Sequence, residues 1–152
     1  MKNKVTHWFL NQPWQIMAVI FILLQLPIFF WLYSIVYQLD KKRNIKRTRH
    51  IRLIHNLAFI YPHIYLPLYL NFLFNWFDNA ALLNSNSVMY FHLLGILCAL
   101  IQVLVATDSL VRFEKQSIKS SSLKPHIAFV LLGCSILGVY FIQPKLNAYV
   151  SD

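Results

Sequence analysis

Apolar positions along this chain occur in long runs separated by short polar connections, without the two-residue alternation of a half-buried β-strand. Four runs come close to or exceed the roughly 20 residues that a helix needs to cross a bilayer. They are residues 14–37, 51–77, 88–106 and 127–143. Lipid cannot satisfy free backbone N–H and C=O groups, so each run is expected to be helical, with Pro62 and Pro67 kinking the second. The pattern predicts an all-α membrane protein, a four-transmembrane-helix bundle forming one polytopic domain over residues 1–152.

Composition agrees with a chain whose main solvent is lipid. Hydrophobic residues make up 58% of the sequence and charged residues only 12%, whereas a soluble domain carries about 25% charged residues. The net charge is +9, and most cations lie between the apolar runs. This distribution is typical of the cationic flanks of membrane helices, and it disfavours nucleic acid as a partner.

Basic residues are distributed unevenly among the connections between the predicted helices. Residues 38–50 and 107–125 carry most of the Lys and Arg, whereas residues 78–87 carry none. Cytoplasmic loops of membrane proteins are enriched in Lys and Arg. We therefore expect the two basic connections in the cytoplasm and both termini outside it, in the inner membrane if the cell is Gram-negative.

The first basic connection and the start of the second predicted helix form the most prominent candidate binding surface. Seven cations lie within twelve positions: Lys41, Lys42, Arg43, Lys46, Arg47, Arg49 and Arg52. Each Lys or Arg near an anionic leaflet contributes about 1 kcal/mol of attraction. The cluster is interpreted either as a site that only holds anionic lipid and sets orientation, or as a docking platform for an acidic cytosolic partner or, as the minor alternative, nucleic acid. The expected partners are membrane lipids and, in a homo-oligomer or hetero-complex, other protein chains.

The second predicted helix carries a stripe of polar and aromatic side chains. Tyr61, Tyr65 and Tyr69 recur every fourth residue, and His63 and Asn71 lie in the same helix. Such a stripe lines a pore or ligand groove, or it forms a seam whose polar groups hydrogen bond to a neighbouring helix. Both interpretations are open from the sequence.

Small residues at four-residue spacing occur in the third and fourth predicted helices. Gly95 and Ala99 form one pair, and Cys134 and Gly138 form the other. Small residues at this spacing allow two membrane helices to approach closely. We therefore predict a tight hairpin between the third and fourth helices, with oligomerisation through the same residues as the alternative.

Side chains that could carry catalysis are sparse and isolated. The predicted helices hold no carboxylate pair, and the sequence lacks a Ser-His-Asp arrangement, a Gly-rich phosphate loop and an HExxH motif. His55, His63 and His92 lie at different predicted depths, so no two of them are well placed to bind one haem. We therefore predict a protein that is not an enzyme and needs no metal or cofactor.

A membrane scaffold or assembly subunit that packs laterally and presents a basic cytoplasmic face to a partner fits these features best. A bacterial envelope or defence complex would suit such a subunit. An oligomeric channel or pore lined by the second helix is the alternative, and a haem- or quinone-binding subunit is a third interpretation. A tyrosine stripe facing a symmetry axis would favour the pore, and one facing a helix of the same chain would favour the scaffold.

Overall fold

The computed structural model describes residues 2–17, 27–74, 85–117 and 123–151, which are mainly helical and include no β-strand. The helices of this described part are α1 (Lys2–Asn11), α2 (Pro27–Lys42), α3 (Arg49–Phe74), α4 (Ser85–Ser117), α5 (Pro125–Gly133) and α6 (Ser135–Ser151). Residues 14–17 are also helical. The predicted all-α fold is confirmed. Residues 18–26 of the first predicted helix and 75–77 of the second lie outside the described residues.

The long helix α4 connects two differently built parts of the molecule. Its 33 residues extend over about 50 Å at 1.5 Å per residue. The amino-terminal half packs antiparallel against α3, and we call this pair the hairpin. The carboxyl-terminal half packs against α2 and α5, while α1 and α6 pack on that group. We call α1, α2, α5, α6 and the carboxyl-terminal half of α4 the helical body.

The two parts are held together by different kinds of contact. The apolar core cluster lies in the helical body, with Leu10, Trp31, Leu110 and Ile142 at most 1% exposed. Among the described residues, the cluster takes no member from α3. The hairpin is joined instead by tyrosine, histidine and glutamine side chains that hydrogen bond between its two helices.

Within the described part, one helix is both long enough and apolar enough to cross a membrane. Residues 87–116 of α4 are long and apolar enough to cross a bilayer by length and composition. Helices α5 and α6 together pass the same test only if the bent pair counts as one span. The predicted bundle of four spans is therefore not confirmed.

The predicted fourth helix, residues 127–143, is divided into two. Helix α5 ends at Gly133, and the axes of α5 and α6 are bent by 114°. Cys134 leaves the helical region between them, with φ −87° and ψ 69°. Gly138 permits the turn, because a Cβ there would overlap the backbone carbonyl of Leu131. The break has no proline at it, so the apolar run alone did not reveal it.

Both described chain ends lie at the end of the helical body that carries the basic connection. Lys42 Nζ donates to the Tyr149 carbonyl at 2.6 Å, and the Gln38 amide donates to Thr6 Oγ1 at 2.6 Å. This arrangement differs from the predicted one, in which the termini and the basic connections lie on opposite sides. For the carboxyl terminus, the difference arises because the chain reverses direction between α5 and α6.

Glu114, which is 1% exposed, ties α4 to the last helix. Its carboxylate accepts from the Tyr149 hydroxyl at 2.9 Å and from Leu123 N at 2.5 Å, and Lys145 Nζ lies 3.6 Å away. Burial, followed by the hydrogen bond to Glu114, raises the pKa of Tyr149 above its ordinary value. The phenol therefore stays protonated and keeps donating, which fixes the end of α6 beside α4.

Gln143 is a fully buried polar residue that joins three helices. Its Oε1 accepts from Trp31 Nε1 at 2.7 Å. Its Nε2 lies 2.9–3.1 Å from the carbonyl oxygens of Phe9, Leu10 and Gln12. Backbone carbonyls at the end of a helix lack partners within that helix. The amide therefore caps α1 and holds it against α2 and α6.

Candidate functional site at the base of the hairpin

The connection between α2 and α3 is a tight turn fixed at both ends. Asn44 adopts φ 50°, a left-handed conformation that Asn tolerates better than most residues. Ile45 N donates to the Asp40 carbonyl at 2.8 Å. On the other side, the Thr48 carbonyl accepts from Arg52 N at 3.2 Å as α3 begins. The turn therefore holds the basic side chains close to both helices.

The largely buried Arg47 side chain attaches this turn to α4. Its side chain is only 9% exposed and forms an ion pair with Asp40 through both carboxylate oxygens. The same guanidinium donates to Asp108 at 3.0 Å and to Ser109 Oγ at 2.6 Å. Arg47 was predicted as a partner- or lipid-binding residue, yet its donors are directed to groups of the chain itself. Its role in the structure is to position the turn.

A cleft of about 400 Å³ lies beside Arg47, between the end of α2 and the start of α3. The cations that line it are Lys41, Lys46, Arg47 and Arg52, and Asp40 supplies its carboxylate. The remaining lining consists of Tyr33, Val36, Tyr37, Asn44, Ile45, His55 and Asn56. Arg47 and Asp40 neutralise each other, so the cleft keeps a positive charge from the other three cations.

The chemistry of this lining suits an anion. Ammonium, guanidinium, phenol and amide groups all offer hydrogen-bond donors.

No family model, no curated protein and no solved structure matches this chain. Within the described ranges, no group of three His, Cys, Asp or Glu side chains could hold a metal ion.

Tyr37 and Asn56 are among the lining residues of the cleft that were not singled out from the sequence. Tyr37 lies one helical turn before Lys41 in α2, and Asn56 lies one turn after Arg52 in α3. Residues four apart share a helix face. That spacing is the signal that could have linked the phenol and the amide to the cations.

The remaining predicted cations have separate positions. Lys42 is bound to the Tyr149 carbonyl, and the Arg43 guanidinium lies 5.1 Å from the centre of the Phe113 ring. Both side chains therefore contact the helical body, Lys42 through α6 and Arg43 through α4. Arg49 is exposed at the start of α3 and does not line the cleft.

The tyrosine stripe faces α4 of the same chain. The Tyr61 hydroxyl donates to the Phe91 carbonyl at 2.8 Å, and the Tyr65 hydroxyl lies 3.1 Å from His92 Nδ1. The rings of Tyr65 and Tyr69 stack with their centroids 5.6 Å apart. These contacts match the interpretation of the stripe as a seam between helices. They leave the Tyr61 and Tyr65 hydroxyls directed into the hairpin.

His63 and Asn71, the other polar residues predicted with the stripe, do not share the described contacts of the tyrosines with α4. His63 packs against Phe30 and Phe59, with ring centroids 4.7 Å away in both cases, and its Nδ1 lies 2.7 Å from the Phe59 carbonyl. Asn71 lies within α3, but its side chain is outside the described part. Pro62 and Pro67 lie inside α3, which is continuous to Phe74.

The small residues do not form the predicted common seam between the third and fourth helices. Gly95 lies against the rings of Tyr61 and Tyr65 in α3, and Ala99 lines a hollow of about 280 Å³ beside it. Gly138 lies against Leu131 and Trp31, and Cys134 is exposed. Each glycine thus serves a different contact, because the break at Cys134 turns Gly138 away from α4.

Proposed function

We propose that this chain is a non-enzymatic scaffold subunit whose hairpin lies in a membrane and whose base presents a basic cytoplasmic face to an acidic partner. One observation carries the proposal. The apolar surface of the hairpin is exposed along its length, and it begins where the basic turn ends. Such a surface is suited to contact lipid along the apolar hairpin and water at its basic end.

The exposed apolar side chains on α3 recur at helical spacing. They are Ile51, Leu53, Ile54, Leu57, Ile60, Ile64 and Leu68, with Leu57 57% and Ile64 60% exposed. Helix α4 continues the surface with Leu93, Leu97 and Leu104. Monomeric soluble proteins rarely expose contiguous apolar patches larger than a few hundred Å². The hairpin also directs the Tyr61 and Tyr65 hydroxyls toward the partner helix, α4, which is the reverse of a soluble helix pair.

The sequence of α3 supports its crossing together with α4. Residues 53–74 contain no charged side chain, and residues 87–104 of α4 contain none either. The cations at the base would then lie on the cytoplasmic side, following the enrichment of Lys and Arg there. Because Lys42 bonds to Tyr149, we propose that the carboxyl terminus lies on that side as well.

A scaffold accounts for the polar stripe better than a pore does. The Tyr61 and Tyr65 hydroxyls bond to α4, so they are poorly placed to line a channel between subunits. His92 Nδ1 lies 3.1 Å from the Tyr65 hydroxyl, a contact of the kind that joins membrane helices, whereas the contact of His63 with the Phe59 carbonyl lies within α3. We therefore rank the pore, and the haem- or quinone-binding subunit, below the scaffold.

Labelling of single cysteines tests the proposed topology. Cys98 and Cys134 are first replaced by Ala, and one cysteine is then introduced at Lys46, Asn84 or Ser151. In intact bacterial cells, an impermeant maleimide should label position 84, whereas positions 46 and 151 should react only after permeabilisation. Four spans with both termini outside would instead expose position 151. That result, or labelling of position 46 in intact cells, contradicts the proposed topology.

Co-purification under mild detergent tests the docking role. We expect a soluble acidic protein to be recovered with the wild type and to be released as salt rises, because exposed charges are screened beyond about 8–10 Å. Replacing Lys46 and Arg49 by Gln should reduce the amount of partner recovered to roughly a tenth. This estimate assumes that each of the two lost ion pairs contributes about 1 kcal/mol or less to binding. The matched control replaces the exposed Lys4 and Lys124 by Gln. Equal loss in the control, or unchanged recovery in the test variant, contradicts docking at this face.

A further inference from the structure

We propose that the cleft between α2 and α3 binds the phosphate headgroup of one anionic phospholipid, whose acyl chains lie along the apolar face of α3. This inference rests on the proposed membrane location of the hairpin. It names a lipid ligand for the cleft, whereas the scaffold proposal concerns a protein partner for the exposed basic face.

The charge of the cleft is the first argument. Lys41, Lys46 and Arg52 line it, and none of these three forms an ion pair within the part of the chain that the structure describes. Asp40, the carboxylate of the lining, is already bound by Arg47. An occupant that carries negative charge would therefore meet three uncompensated cations at once.

The donor chemistry is the second argument. A guanidinium presents a planar fork that matches the oxygens of a phosphate, and each ammonium offers three donors. The Tyr37 hydroxyl and the Asn56 amide line the same cleft and add neutral donors. A volume of about 400 Å³ lies within the range of pockets that hold small ligands. The set therefore suits a phosphodiester with a polar headgroup.

The apolar stripe beside the cleft favours a lipid over a soluble phosphate. Arg52 and Asn56 line the cleft, and the neighbouring residues Leu53 and Leu57 begin the exposed apolar stripe of α3. That stripe continues to Leu68, a distance of about 22 Å along the helix. One leaflet of the hydrocarbon core is about 15 Å thick. An occupant with its phosphate in the cleft would have its chains beside apolar side chains throughout the leaflet.

The test measures lipids retained by the purified protein. The protein in neutral detergent is mixed with equal amounts of phosphatidylglycerol and phosphatidylcholine, and the retained lipids are counted by native mass spectrometry. We expect one phosphatidylglycerol to be retained in preference. Replacing Lys41, Lys46 and Arg52 by Gln should weaken that retention roughly 100-fold, given the attraction of each cation for an anionic lipid. No preference between the two lipids overturns the proposal.

Two further arms separate this site from less specific alternatives. The control variant replaces the exposed Lys4, Lys115 and Lys124 by Gln and removes the same charge. It should retain the lipid as the wild type does, and an equal loss would overturn the proposal in favour of diffuse attraction. Inorganic phosphate should fail to displace the lipid, whereas short-chain phosphatidylglycerol should succeed. Equal displacement by both would mean a site for soluble phosphate and would also overturn it.

Membrane extraction distinguishes failure of this inference from failure of the proposed function. Wild type and the cleft variant should both stay in the membrane fraction after washing at alkaline pH, because the hairpin surface is unchanged. Wild type retained in the membrane without a preferred lipid refutes the lipid site alone. Release of wild-type protein by the wash refutes the membrane location itself.

Discussion

Arg47→Met should lower the free energy of unfolding by about 3–5 kcal/mol, the range for breaking one side of a buried ion pair. The substitution keeps an unbranched side chain but removes the guanidinium. Asp40, whose side chain is 14% exposed, would then lose its counter-ion, and Asp108 and Ser109 would lose a donor. The turn between α2 and α3 would no longer be attached to α4.

Unfolding by sodium dodecyl sulfate in mixed micelles, followed by circular dichroism, measures this loss. Arg49→Met is the matched control. Arg49 is exposed at the start of α3, and its substitution removes the same charge beside the same turn. We expect the control to change stability by less than about 0.5 kcal/mol, as surface substitutions usually do. Equal stability of the two variants would show that the Arg47 network contributes nothing to the fold.

Gly138→Ala should destabilise the protein by about 3 kcal/mol or more, although it adds only one methyl group. The added Cβ would overlap the backbone carbonyl of Leu131 and lie 3.2 Å from Trp31 Cη2. Overpacking typically costs about 1–3 kcal/mol when side chains can shift. Here the obstacle is backbone, so relief requires α6 to move away from α5.

Two other glycines serve as controls for this prediction. A Cβ at Gly133 would meet Val103 at 4.0 Å, and one at Gly95 would meet Tyr61 and Tyr65 at 3.8 Å. Both distances are ordinary van der Waals contacts, so Gly133→Ala and Gly95→Ala should accumulate and unfold nearly as the wild type does. Stability of Gly138→Ala equal to these two would mean that α5 and α6 do not form the described turn.

The all-helical fold was predictable because the apolar runs are longer than ordinary β-strands and lack a two-residue alternation. The course of the helices was not. A re-entrant helix pair and a straight span are both apolar, so the run at residues 127–143 gives no sign of the break at Cys134. The local signal, Cys134 at the break and Gly138 four residues after it, was interpreted as a packing motif between helices.

The basic cluster was found from the sequence, but the separate roles of its members were not. Lys46 and Arg47 are adjacent, and local sequence gives both the same interpretation. Their difference comes from Asp108, which is 61 positions away from Arg47 and is brought to it by the packing of α4. The importance of Gln143 was hidden for the same reason, since its partners lie in α1 and α2.

The contacts of Gln143 also impose an order on the making of this protein. Its contacts with the end of α1 join residues 131 to 134 positions apart, whereas the hydroxyl contacts of the hairpin join residues 27 and 30 positions apart. At about 5–20 residues per second, roughly 7–27 s of synthesis separate α1 from Gln143. Individual helices form within microseconds. The carbonyls at the carboxyl-terminal end of α1 therefore lack the Gln143 amide until residue 143 has been synthesised. The two helices of the hairpin can pack together before that point. A chain truncated between the end of α4 and residue 143 would therefore contain both helices of the hairpin and lack the contacts of Gln143.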